Sequence, residues 1–293
     1  MTGTTFRLPA LLCAALMVCL GVSGEITFSR LDIAMTLNAD GSADFKELWE
    51  ITHDGKSSTE FYFSRVLKPP YSLADFSVSE NGVDFKRVDP WVVEASLQEK
   101  NHCFGIRQSG YDYEFCWGLG ATGTHQFIIK YTINNIIRQC SDNSALLYHT
   151  FYNAFKPMPK QTVVHISRAG TPLSESDIVD MKSNNIVDLT FANGVIQLEP
   201  NEPFDVNDHM SIRAEFNRNA FDSIYNAGAS SAVTPEELSS PMMTITRTAD
   251  AAGSWSDRIW DFYDSWPNVT LLLLIGGLFG LFYLIKKIWI ALI

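Results

Sequence analysis

The chain has 293 residues, with 22 Lys and Arg against 33 Asp and Glu, and a formal charge of −11. That acidic balance argues against nucleic acid or anionic lipid as a ligand. Five cysteines, an apolar run at each end and a polar body between them point to an exported, membrane-attached protein.

Arg7 precedes the run LPALLCAALMVCLGV, and Val22-Ser23-Gly24 supplies small residues after it. This predicts a signal peptide over residues 1–24, with Glu25 opening the mature chain. The run is short for a bilayer span of roughly 20 residues, which favours cleavage over an anchor helix. Neither Cys13 nor Cys19 follows the small residues that a lipoprotein signal needs, so no lipid anchor is expected. Losing Arg7 takes the formal charge to about −12.

The body from Glu25 to about Phe216 is long enough for one large domain or two small ones. Asp40-Gly41, Asn81-Gly82 and Asn193-Gly194 each separate two runs of alternating apolar residues. Such dipeptides supply the positive φ of two-residue turns, so each predicts a β-hairpin. Further strands are expected over 126–133, 161–167 and 211–216. The fold class expected is therefore mainly β, an antiparallel, sandwich-like ectodomain over residues 25–217.

Cys103, Cys116 and Cys140 remain in the mature chain. Cys103 and Cys116 flank FGIRQSGYDYEF, where Ser109-Gly110 can turn a hairpin, so a Cys103–Cys116 disulfide is expected, with Cys140 unpaired within the chain. Helical signals are few. Ser174 with Asp177 forms a capping-box pattern, as do Thr234, Pro235 and Glu237 in TPEEL. The second lies in a stretch rich in Ala, Ser, Thr and Asn over residues 218–253, read as a linker or stalk.

Beyond it, Trp255, Ile259, Phe262 and Trp266 recur at spacings of four, three and four, one face of a helix. Residues 254–267 therefore read as a juxtamembrane amphipathic helix with its aromatic rings in the headgroup layer. Val269 to Ile285 carries no charge and Lys286-Lys287 follow, which predicts a transmembrane helix within 268–293 whose C-terminal end faces the cytoplasm. Gly276 and Gly280 form a Gly-x-x-x-Gly pattern that permits close helix contact.

No Gly-x-Ser-x-Gly, His-Glu-x-x-His, Cys-x-x-Cys or phosphate-cradling loop occurs. The histidines, His53, His102, His125, His149, His165 and His209, are scattered and lack metal-ligand spacing; His149 and His165 can meet in space, but a lone His on a strand is more often structural. The carboxylates of Asp142, Glu199 and Glu202 make no recognisable catalytic pair. No cofactor, metal or catalytic residue is expected.

FSVSENG, YDYEFCWGLGATGTHQFIIKYTINNII, DNSALLYHTFYN and MPKQTVVHIS occur in that order. With DGSADFKELWEI and FYFSRVLK before them, they resemble the YciQ-like membrane proteins, domain of unknown function 2207, over roughly residues 26–216. The run Gly123 to Tyr131 is the most specific element. The resemblance implies a signal, an extracytoplasmic β-rich domain and a transmembrane segment. It also implies that the polar stretch after Ile133 crosses over to an aromatic strand at Leu147-Tyr148-His149, where His149 stands in place of the family's usual Trp.

The function expected is that of a membrane-anchored extracytoplasmic binding or assembly protein, not an enzyme. Its partners would be the lipid bilayer and another envelope or membrane protein or a glycan. One alternative is an envelope hydrolase using Asp142, His149 and Arg65. Another is a subunit of a membrane complex acting through its transmembrane helix.

Overall fold

A computed structural model describes residues 26–54, 58–140, 144–153, 157–204 and 208–224. All of them fall in the first of the two units into which the chain divides, Met1–Ala249 and Asp250–Ile293. The signal peptide, most of the 218–253 linker, the juxtamembrane segment, the Val269–Ile285 run, TPEEL, Gly276 and Gly280 lie outside the described residues, as does Asp142. Among the described residues no helix is long and apolar enough to cross a membrane.

The described chain is mainly β. Its first strands are β1 (Thr27–Leu37), β2 (Ala43–His53), β3 (Glu60–Val66), β4 (Ser72–Glu80), β5 (Val83–Asp84), β6 (Lys86–Arg87), β7 (Cys103–Ser109) and β8 (Asp112–Gly118). A single helical turn, α1 (Leu97–Lys100), precedes β7. There follow β9 (Gly123–Asn134), β10 (Ile137–Gln139), β11 (Ala145–Asn153), β12 (Gln161–Arg168), β13 (Ile178–Ser183), β14 (Val187–Ala192), β15 (Val195–Pro200) and β16 (His209–Phe216).

Three sheets result: β14-β15-β12-β1-β2-β9-β4-β5, then β10-β11-β16-β13, and β3-β8-β7-β6. The expected antiparallel pairing has two exceptions, since β1 runs parallel to β12 and β6 parallel to β7. Long connections allow both, because a parallel partner cannot be reached by a tight turn.

The turn dipeptides act as their chemistry requires. Asn81-Gly82 joins β4 to β5 with φ of 50° and 79°, and Asn193-Gly194 joins β14 to β15 with 53° and 78°. Two consecutive positive φ values match the twist of the flanking strands. The hairpin at Asp40-Gly41 forms too, but its last pair is Leu37 with Ala43. The amide of Asn38 donates to the Ser42 carbonyl at 2.9 Å, that of Gly41 donates to the Asn38 carbonyl at 3.0 Å, and Gly41 has φ 79°, so three residues make this turn rather than two. The strands expected over 126–133, 161–167 and 211–216 lie in β9, β12 and β16. Ser174 and Asp177 make their capping box on a 3-10 turn at Glu175–Asp177.

Period-two alternation selects the buried face. Along β2, Ala43, Phe45, Glu47, Trp49, Ile51 and His53 all point inward, and along β9 so do Phe127, Ile129, Tyr131 and Ile133. Phe61, Phe63, Phe115 and Trp117 of the four-stranded β3-β8-β7-β6 sheet pack against this face. Trp49 meets Trp117 edge-on at 5.2 Å, and Phe76 meets Phe115 at 4.9 Å. Burying each such ring contributes roughly 1.5–3 kcal/mol before its ordering cost. Side chains from all three sheets join one apolar cluster.

After β9 the chain turns at Asn135, φ 59°, and enters a different sheet through β10 and β11. The polar stretch is thus a crossover with a short strand of its own, Ile137–Gln139. On β11, Leu147, His149 and Phe151 are buried and Tyr148 is half-buried beside Leu146 and Cys140.

Candidate functional site

Glu47 and Glu60 each centre a cluster of buried charge among the described residues. In the first, register places Glu47 on the inward face of β2, between Phe45 and Trp49. A carboxylate there must be hydrogen-bonded and paired. Its Oε2 accepts from Trp49 Nε1 at 2.8 Å, and its Oε1 from the Tyr131 hydroxyl at 2.5 Å. Arg65, 2% exposed, reaches Oε1 at 3.4 Å, donates to the Tyr131 hydroxyl at 2.9 Å and to the Thr150 carbonyl at 3.2 Å. Burial pushes the Tyr131 hydroxyl well above its usual range, so it stays a donor.

His149 lies against this cluster. Its ring sits 5.2 Å from Phe45 and 4.7 Å from Phe151. It is fully buried, and among the described residues neither ring nitrogen has a hydrogen-bond partner. Burial, then the nearby Arg65 charge, depress its pKa well below the ordinary value, so the imidazole is neutral. Arg65 and His149 are therefore brought together, but inside the core. His165 is exposed on β12, apart from His149. Glu199 and Glu202 line a groove of about 860 Å³ with Arg30 and Lys160.

The second cluster supports a surface feature. Glu60, at the start of β3, pairs with Lys100 at 2.6 Å and accepts from Trp91 Nε1 at 2.7 Å. Lys100, at the end of α1, also donates to Thr59 Oγ1 at 2.8 Å and to the Val93 carbonyl. Its ammonium lies 5.8 Å from the centre of the Trp91 ring. A capping box between Ser96 and Glu99 starts α1, and aims Lys100 inward.

Two glycines let this segment press onto the sheet. A Cβ on Gly105 would lie 2.4 Å from the Val88 carbonyl, and one on Gly118 would lie 2.0 Å from that of Lys100. Both contacts are shorter than any side chain tolerates. Residues 88–100 are thus clamped by a buried ion pair and by backbone contact.

The clamped segment walls a cavity of about 690 Å³. Its opposite wall is a β-bulge in β4, where Asp75 and Phe76 face the single residue Tyr131 between the pairs Ala74–Thr132 and Ser77–Lys130. Asp75 has φ 54°, the left-handed region that favours glycine. Bulges of this kind re-aim side chains and gather at functional sites. Arg87, Asp89 and Trp91 come from the clamped side, and Ile106, Arg107 and Tyr113 from β7 and β8. Arg107 is held by Glu114 at 2.6 Å, and burial raises the pKa of that carboxyl. A smaller, mostly apolar cavity of about 390 Å³ lies on the other side of Trp91, bordered by Val92 and Cys103.

The Cys103–Cys116 bond expected above is not formed in this structure. Cys116 stands opposite Gly105, which leaves Cys103 diagonal to it, and diagonal residues are separated by more than a directly opposed pair. Burial, with Glu60 and Glu114 nearby, pushes the Cys116 thiol far up. Cys103 Sγ donates to the Glu99 carbonyl at 3.6 Å. Among the described residues no group of three or more His, Cys, Asp or Glu is arranged to hold a metal ion.

Sequence reasoning passed over Asp75, Arg87, Trp91 and the Glu60–Lys100 pair. Capping-box spacing at Ser96 and Glu99 was the one local signal available for this segment.

No protein-family model matches the chain, and no curated protein matches it. Among solved structures it is similar to an M1 zinc metallopeptidase from Deinococcus radiodurans, at 10% identity and TM-score 0.33, over 64% of this chain and 42% of that one. It is also similar to a protein thought to be a protease from Parabacteroides distasonis, at 14% identity and TM-score 0.34, over 65% and 40%. The chain thus spans less than half the length of these structures.

Proposed function

We propose that the protein is a non-enzymatic binding or assembly protein, anchored in the cell membrane, with its β domain outside the cytoplasm. In this reading the sheets form a sandwich-like ectodomain of the YciQ-like type, carried on a stalk and a single transmembrane helix. Partners are another envelope or membrane protein, or an envelope glycan.

The observation that supports binding is the clamp beneath the cavity wall. A buried ion pair costs several kcal/mol of desolvation per ion, and here it fixes Trp91 and the Val93 carbonyl, not a reacting group. Rigid support of a surface segment is what preorganised recognition requires. The Arg65–His149 pair, by contrast, has no access to a substrate.

The test is complementation of a deletion strain, with expression and folding checked for each variant. Trp91→Ala, Arg87→Ala and the pair Gly276→Leu with Gly280→Leu should impair function, the last by forcing helices apart. His149→Ala should leave function largely intact. Loss of function by at least a hundredfold in well-folded His149→Ala, with the other variants unaffected, would overturn the proposal in favour of acid–base chemistry.

A further inference from the structure

Asp75 is the residue of the cavity that ordinary folding explains least. It occupies a left-handed conformation at φ 54°, where a non-glycine residue raises the energy of the folded state. It is exposed, and its carboxylate has no hydrogen-bond or ion-pair partner among the described residues. A residue that strains the backbone and offers an open carboxylate stabilises nothing in the domain itself.

The remaining rim shares its character. Arg87 is about half exposed and only loosely paired with Asp89, at 3.8 Å. Gln108 and Arg107 stand on the adjoining strand. The rim thus sets the carboxylates of Asp75 and Asp89 beside the guanidinium groups of Arg87 and Arg107, the latter already paired with Glu114, and each of these groups is planar with paired donors or acceptors. Below them, Ile106 and Tyr113 are half-buried, and Trp91 has spent its indole N–H on Glu60. The volume falls in the range of small-molecule sites, about 300–1,000 Å³.

We propose that this cavity binds a neutral oligosaccharide, a segment of an envelope glycan. The inference rests on the binding-protein reading above and names its ligand class. An anion entering the rim meets Asp75 and Asp89, and a cation meets Arg87 and Arg107. A sugar hydroxyl both donates and accepts, so it satisfies either sign. The apolar faces of pyranose rings pack on the half-buried apolar side chains below. A peptide strand would draw its affinity from main-chain bonds along a free sheet edge. Here the adjoining edges are Lys86–Arg87, only two residues long, and the part of β4 that β5 leaves uncovered, where the bulge at Asp75 and Phe76 interrupts a regular ladder.

The test uses the full chain, purified in a detergent without a sugar headgroup. The probes are maltotriose, cellotriose and tri-N-acetylchitotriose, with inorganic phosphate and trialanine as comparisons. Binding is read by saturation-transfer NMR and by tryptophan fluorescence. At least one trisaccharide should bind at a single site. Asp75→Gly and Arg87→Ala should each weaken that binding at least tenfold. Asp75→Gly should at the same time raise the melting temperature, because glycine relieves the backbone; this separates lost binding from lost folding. The proposal is overturned if no trisaccharide binds folded protein, if Asp75→Gly binds it undiminished, or if only phosphate or trialanine binds. Complementation distinguishes the levels. If the two variants fail to complement but no saccharide binds, the cavity is functional and the ligand class is wrong. If they complement fully and no saccharide binds, the cavity reading fails as well.

Discussion

Glu47 and Glu60 are both buried carboxylates on strands that share one core, yet their counter-ions arrive differently. Glu47 meets Arg65, which comes from a strand facing it, and the pair is enclosed by Tyr131, Trp49 and Phe45. Glu60 meets Lys100, which comes from a helical turn in a connection. The same chemistry therefore locks sheet against sheet in one place, and a surface segment against a sheet in the other. Buried charge fixes whatever element carries its partner, and only the second element borders solvent.

Removing each cation separates the two roles. Arg65→Ala should be the most damaging change, because Glu47 is left buried without its counter-ion, at a cost of about 3–5 kcal/mol. Urea unfolding of the full chain in detergent measures it, and a loss below about 1 kcal/mol would mean that the sheets do not depend on the pair. Lys100→Met should cost about 3 kcal/mol on the same grounds. Its signature should be local: hydrogen exchange should accelerate at the amides of Ala95 and Lys100, which donate to Val92 and Ser96, while β2 and β9 stay protected. Acceleration spread evenly over all sheets would erase the distinction drawn here.

Gly118→Ala tests the clamp by steric means. Its added Cβ meets backbone, not a yielding side chain, so a loss of about 1–3 kcal/mol is expected. A calorimetric scan of the variant showing an unchanged transition would show that the 88–100 segment yields freely.

The smallest effect is graded by pH. The folded state holds His149 neutral, whereas the unfolded chain titrates near about 6.5. The unfolded chain then binds more protons on acidification. Stability is full above about pH 6.5 and falls as pH drops toward the depressed folded value, by at most about 1.4 kcal/mol per pH unit. His53, with its pKa lowered by burial and by His125, acts in the same direction. His149→Phe should flatten the slope of urea midpoints between pH 7 and pH 5; an identical slope in the variant would place the effect elsewhere.

The two regions also differ in how far sequence reveals them. Alternation along Phe45, Glu47 and Trp49 already marks Glu47 as inward, and Asn81-Gly82 and Asn193-Gly194 mark hairpins because local backbone geometry decides them. Lys100 reads as an ordinary surface lysine, since its partner Glu60 is forty positions away in the chain. The Asp75 bulge is equally silent: it arises from a mismatch between β4 and β9, not from any property of Leu73-Ala74-Asp75-Phe76. Arg65 and His149 were recognised as chemically able residues, but their burial depends on the packing of three sheets. The parallel neighbour of β1 was not legible at all, because pairing over such separation leaves no local pattern.

That pairing has a consequence for the newly made chain. β1 is the first of the described strands to emerge, and it ends in the middle of the eight-stranded sheet. One side is closed early by β2, across a three-residue turn. The other stays open until Gln161–Arg168 has been delivered and can align with it. Throughout that interval the nascent protein presents an unpaired strand edge with Leu31, Ile33, Met35 and Leu37 on one face, a template for unwanted association. Only the arrival of β12 covers that edge, so fragments ending before it should precipitate where longer ones do not.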